Sequence, residues 1–130
     1  MERRTCLKAM LALAGSTVTP ALASDGHPIQ IHLDLAVDPA KEHEMIRFFV
    51  ETFRPAAAQQ PGYMDLRLLK LQAALRGDPP PGTNYQFVMT FASEDLRQKW
   101  AATDLHKHLW PIFESHLTNK TYSRLLYEVY

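Results

Sequence analysis

Ile29, Ile31, Leu33, Leu35 and Val37 alternate with Gln30, His32, Asp34 and Ala36, a period of two that predicts a strand with its apolar side chains on one face. His32 and Asp34 then face the other way. Asp38 and Pro39 end this strand and begin a helix, because Asp38 can cap the free amides and Pro39 suits the first helical position. Met45, Ile46, Phe49, Val50 and Phe53 recur at three- and four-residue spacing, the stripe of a helix packed on one side. Pro55 is expected to kink or shorten that helix, and Pro61-Gly62 closes the segment with a turn.

A second strand is predicted from Tyr63 to about Leu71. The region Gln72 to Thr83 holds three consecutive prolines between Gly77 and Gly82, which can continue neither a helix nor a sheet interior, so it is an exposed loop. Period two returns from Asn84 to Phe91, with Tyr85, Phe87, Met89 and Phe91 on one face and Gln86, Val88 and Thr90 on the other. Ser93 caps a helix through Trp100 and Ala101. Thr103 or Asp104 caps a further helical stretch from Leu105 to about Leu117, bent or broken near Pro111, and Tyr122 to Tyr130 is the last strand.

Strand, helix, strand, strand, helix, strand is the order of an α+β ferredoxin-like βαββαβ sandwich: a four-stranded antiparallel sheet with helices on one face. The second face of such a sheet must also be accounted for. Leu69, Leu71, Val88, Leu126, Tyr127 and Val129 cannot all be covered by the helices, and an exposed apolar patch of that kind marks an interface. A homodimer is the simplest partner.

Ahead of the first strand, three positive charges (Arg3, Arg4, Lys8) precede a short apolar run, Ala9 to Val18, followed by Pro20 and Ala21-Leu22-Ala23. This is the order of a cleaved secretory signal peptide over residues 1–23, cut between Ala23 and Ser24. The run is shorter than the roughly 20 residues a membrane span needs, so no stable membrane anchor is expected after cleavage. Arg3, Arg4, Leu7 and Lys8 resemble a twin-arginine signal; Glu2 and Cys6 depart from that pattern and leave ordinary Sec export open. Both routes imply a periplasmic or secreted protein whose single domain spans residues 24–130.

Three of the 14 basic residues and one of the 14 acidic ones fall in residues 1–23, leaving 11 basic against 13 acidic in the domain. That balance gives no electrostatic reason to expect nucleic acid. The one cysteine, Cys6, goes with the signal, so the domain has neither a disulfide nor a thiol nucleophile. No glycine-rich phosphate loop and no G-x-S-x-G elbow occurs. His106 and His108 are of a metal-ligating type, but on a helix their rings diverge and no Cys or nearby His-Glu pair completes a metal site.

The densest chemical vocabulary runs from Trp100 through Asp104, His106, His108 and Trp110 to Phe113. With Pro61-Gly62 before the second strand, this segment resembles the antibiotic biosynthesis monooxygenase-like domains of the dimeric α+β barrel superfamily, over Ile29 to Tyr130. The resemblance implies two subunits pairing sheet to sheet, with a pocket in each between sheet and helices. It also implies oxidation of a small aromatic, phenolic or quinol-type molecule by oxygen with no metal, flavin or other cofactor. The protein then supplies a general base and a dry pocket.

Histidine suits the base role, with an unperturbed pKa of about 6.5. His106 is the first candidate and His108 the second; being two residues apart, about 200° around a helix, at most one enters the pocket. Trp100 would line the pocket and stack on the substrate, with Trp110 beneath His106 one turn on. His32 looks into the pocket or the dimer interface, and Tyr85 and Tyr63 could hydrogen-bond a phenolate. A haem-degrading branch of the superfamily uses a strand Asn, a Trp and a helical His; Trp100 fits it, but Trp110 stands at the iron-ligand position and His32 replaces Asn, which argues against haem. The competing class is a non-catalytic dimer that binds a small apolar ligand or responds to stress.

Overall fold

The period-two segments form β1 (Ile29–Leu35), β2 (Tyr63–Lys70), β3 (Tyr85–Phe91) and β4 (Ser123–Glu128) in the computed structural model, which describes residues 26–130. The expected signal peptide lies outside the described residues. The strands pair antiparallel in the order β2-β3-β1-β4, the topology of the ferredoxin-like α+β fold. Ile31 lies opposite Met89, Leu33 opposite Phe87 and Leu35 opposite Tyr85, so the apolar positions of both central strands fall on one face. All six of these side chains are buried.

Four helices cover that face: α1 (Glu42–Phe48), α2 (Arg54–Ala58), α3 (Glu94–Ala101) and α4 (Asp104–Glu114). Asp38 caps the first helical turn as expected, its Oδ1 accepting from the Ala40 amide at 2.9 Å. Met45, Phe49, Phe53 and Ala57 then form one buried stripe. Pro55 does not end the helical run. The backbone widens into a π turn over Phe49–Phe53, where the Arg54 amide donates to the Phe49 carbonyl five residues back. Pro55 follows at the start of α2, so the wider turn accommodates the ring that an α-helix would clash with.

Pro111 does not break α4 either, which continues through it to Glu114. Leu109 and Phe113, on either side of it, are buried while Pro111 itself is exposed, and that packing offsets the missing amide. Thr103 is the cap, its Oγ1 accepting from the His106 amide at 3.1 Å. Ser93 caps α3 through the Leu96 amide at 3.2 Å. Gly62 takes a φ of 87°, and a Cβ there would meet Leu96 Cδ1 at 2.6 Å, so the turn before β2 needs glycine twice over.

The far face of the sheet is mixed. Asp34 accepts from Gln86 Nε2 and Ser123 Oγ, both at 3.1 Å, and Gln30 Nε2 donates to Thr90 Oγ1 at 3.0 Å. Around this polar ladder Leu69, Leu125 and Tyr127 stay 45–47% exposed. Val88 is covered within the chain, and Leu126 pairs with inward-facing Ile31, so it lies on the helix side. Every residue of the edge strand β4 is exposed.

Candidate functional site

The two histidines of α4 part company as their spacing requires: His108 is exposed and His106 half-buried. His106 turns towards the sheet and lines a cavity with Trp110, one helical turn on. The other walls are Ile31 and Leu33 of β1, Phe87 and Met89 of β3, Phe53 of the π turn, Arg97 of α3 and Arg124 of β4. The cavity is open to solvent, and its volume is about 40 Å³, reaching about 320 Å³ when the space at the open mouth is counted.

Aromatic rings fix the His106 ring on three sides. Trp110 lies parallel to it, 12° between planes and 5.9 Å between centroids; Trp100 meets it edge to face at 5.0 Å and 88°; Phe53 stands 6.1 Å away. No ring nitrogen of His106 has a hydrogen-bond partner among the described residues. Burial in this apolar setting, followed by the positive charges of Arg97 and Arg124, pushes the His106 pKa below its ordinary value, so the neutral imidazole is favoured.

The neighbouring polar groups are held in place. Trp110 Nε1 donates to Tyr122 Oη at 3.2 Å, and Tyr122 Oη donates to Glu114 Oε2 at 2.6 Å. Burial, then the Glu114 carboxylate, pushes Tyr122 up to about 12, so Tyr122 stays a donor and orients the indole. Arg97 forks onto both oxygens of Glu94, each at 2.7 Å. Arg124 has no carboxylate partner among the described residues.

The remaining candidates lie elsewhere. Trp100 is buried behind His106, and instead of lining the cavity it borders a separate hollow of about 250 Å³ with Gln60, Pro61, Leu96, Lys99 and Thr103. Its Nε1 meets no acceptor among the described residues. His32 is on the far face of the sheet, its Nε2 2.6 Å from Gln30 Oε1 and its ring 4.5 Å from that of Tyr127. Tyr85 is on the helix side but donates to Glu42, which also pairs with Lys70 at 2.7 Å. Tyr63 packs edge-on against Phe91.

A larger hollow, about 360 Å³, lies under the proline-rich loop and is lined by Asp34, Lys70, Pro79, Pro80, Tyr85 and neighbours. Its polar groups are already paired: Asp34 with Gln86 and Ser123, Tyr85 and Lys70 with Glu42. Size alone therefore does not make it the site. Among the described residues no cluster of three His, Cys, Asp or Glu converges to hold a metal ion. Arg97 and Arg124 are the charged cavity residues that sequence reasoning missed, together with the apolar walls Ile31, Leu33, Phe53, Phe87 and Met89; Arg124 arrives through the pairing of β4 with β1.

No protein-family model matches the sequence, and no curated protein matches it. Solved structures do. A protein of Caulobacter crescentus CB15 described as a candidate antibiotic biosynthesis monooxygenase superposes with a TM-score of 0.65 at 18% identity, covering 81% of this chain and 92% of its own. A dimeric ferredoxin-like protein of Jannaschia sp. CCS1, of unknown function, gives 0.62 at 14% identity, covering 79% and 98%. A Nitrosomonas europaea protein described like the first gives 0.63 at 11% identity, covering 79% and 90%. At these identities the likeness establishes the ferredoxin-like fold.

Proposed function

We propose that this chain is an exported, cofactor-independent monooxygenase-like enzyme that oxidises a small phenol- or quinol-type molecule with oxygen in the cavity beneath α4. One observation carries the reading: a histidine favoured in its neutral form is set among aromatic walls between sheet and helices. His106 is the general base. Removing a phenolic proton makes the ring electron-rich enough to pass an electron to oxygen. The pair then joins as a ring hydroperoxide, and loss of water leaves a quinone. For a hydroquinone the balance is hydroquinone plus oxygen to hydroxyquinone plus water, with every electron drawn from the substrate.

Trp110, held by Tyr122, stacks beneath the base, and Phe53, Phe87 and Met89 exclude water from the ring. Two copies pair through the far faces of their sheets, a reading supported by the exposed Leu69, Leu125 and Tyr127 and by the dimeric neighbour from Jannaschia. Residues 1–23 direct export.

A second reading has its own support: no hydrogen bond fixes the tautomer of His106, as a tuned base would require. On that reading the cavity belongs to a non-catalytic binder of small apolar ligands. Oxygen uptake with a panel of hydroquinones separates the two. Uptake that disappears in His106→Ala supports the enzyme, whereas ligand binding without uptake by the wild type supports the binder.

A further inference from the structure

Resting on the reading that the cavity beneath α4 is the binding site, we propose that its ligand is an organic acid: a ring-sized apolar body carrying one carboxylate, which Arg124 receives. The walls divide by chemistry. Ile31, Leu33, Phe53, Phe87, Met89 and Trp110 offer apolar and aromatic surface to the body of a ligand, and the other walls are the His106 imidazole and the guanidiniums of Arg97 and Arg124. Among the described residues no carboxylate lines the cavity. An uncharged apolar ligand would satisfy the walls and leave the guanidiniums unused.

The two arginines are not equivalent. Arg97 is committed to Glu94 by a bidentate pair, which occupies its fork and fixes its plane. Arg124 stands on β4 opposite inward-facing Leu33, is exposed, and has no carboxylate partner among the described residues. It is thus the group at the mouth able to give a carboxylate two parallel hydrogen bonds, a geometry that a guanidinium provides and an ammonium does not. The cavity volume, about 40 Å³, is far below the roughly 300–1,000 Å³ of a ligand pocket. Admitting a ring requires a wall to move, and Arg124, on an exposed edge strand, is the side chain freest to do so.

The charge also suits the base. An acid paired with Arg124 offsets one of the two positive charges that face His106, so the imidazole that must accept a proton becomes a stronger base when the ligand is bound.

The test is titration calorimetry of the full chain with benzoate, 4-hydroxybenzoate and 2,5-dihydroxybenzoate against the uncharged benzamide and hydroquinone. The acids should bind about 10-fold or more tightly than their neutral counterparts, the size of one charge-assisted bidentate contact. Arg124→Gln should bring that ratio close to one without weakening benzamide, and Arg124→Lys should restore only part of it. Equal binding of benzamide and benzoate overturns the proposal, as does an acid preference that survives in Arg124→Gln or a wild type that binds none of the acids. Oxygen uptake reports separately on catalysis. Turnover of hydroquinone by the wild type with no acid preference keeps the enzyme and removes the acid; Arg124-dependent acid binding with no uptake keeps the acid and removes the enzyme.

Discussion

His106 and Trp110 stack one helical turn apart on α4, their planes 12° from parallel and their centroids 5.9 Å apart. The i, i+4 spacing puts both rings on the face turned to the sheet, and the Tyr122–Glu114 relay prevents the indole from rotating away. A base held in this way acts in its neutral form. With its pKa lowered by burial, Arg97 and Arg124, kcat/KM should reach its plateau at lower pH than a base titrating at about 6.5, the ordinary histidine value, would allow. It should fall only at more acid pH, with a midpoint below that value. His106→Ala should lower kcat by about 10²- to 10⁴-fold, the usual contribution of a positioned base. A midpoint above 6.5 in the pH-rate profile would contradict the assignment.

The same shift bears on stability. The unfolded chain takes up a proton at His106 near pH 6.5 while the folded chain resists until lower pH, so stability is complete above the unfolded value. It declines as pH falls from there towards the folded one. Urea midpoints at pH 7.5 and 5.5 should show a smaller acid loss in His106→Gln than in the wild type. Equal losses would mean that His106 titrates alike in both states.

Gly62 sets the entry to β2. An alanine there must hold a φ of 87° and push its Cβ to within 2.6 Å of Leu96 Cδ1. The left-handed backbone costs about 1–2 kcal/mol and overpacking about 1–3 kcal/mol more, so Gly62→Ala should lower stability by roughly 2–5 kcal/mol in denaturant titration. Combining it with Leu96→Ala should recover the steric part and leave the backbone part.

Much of this was legible from period alone. The inward sets of β1 and β3 follow directly from alternation, because a strand has only two faces, and the divergence of His106 from His108 follows from helical spacing. Both prolines were harder. A local rule expects Pro55 and Pro111 to interrupt their helices, but the π turn at Phe49–Phe53 and the burial of Leu109 and Phe113 are tertiary effects. The cavity was legible only in part for a similar reason: Trp100 and Trp110 both carry helical spacing, and only packing decides that Trp110 faces the space while Trp100 backs the histidine. Arg124 reaches the site from the far end of the chain, through the pairing of β4 with β1, which no local pattern encodes.

Processing is testable independently of the fold. Protein recovered from a bacterial periplasm should begin at Ser24, since Ala21 and Ala23 supply the small residues that signal peptidase needs. Intact-mass analysis reads this directly. Replacing Arg3 and Arg4 with Lys should block export by a twin-arginine route and leave a Sec route working.

The far face of the sheet makes the last prediction. Leu125 and Tyr127 on β4 and Leu69 on β2 are 45–47% exposed at opposite edges of a face whose centre is polar but internally hydrogen-bonded. Such a surface can pair with a copy of itself: the polar ladder needs no new partners, and the apolar flanks gain about 25 cal/mol for each Å² removed from water. Sedimentation at micromolar concentration should therefore give twice the mass of the chain. Leu125→Asp, which sets a carboxylate among the apolar flanks in both copies, should yield a monomer with an unchanged far-ultraviolet circular dichroism spectrum, because the side chain is half exposed and lies outside the buried core. A wild type that sediments as a monomer would rule out the sheet-to-sheet barrel. A dimer that survives Leu125→Asp would move the interface to another surface.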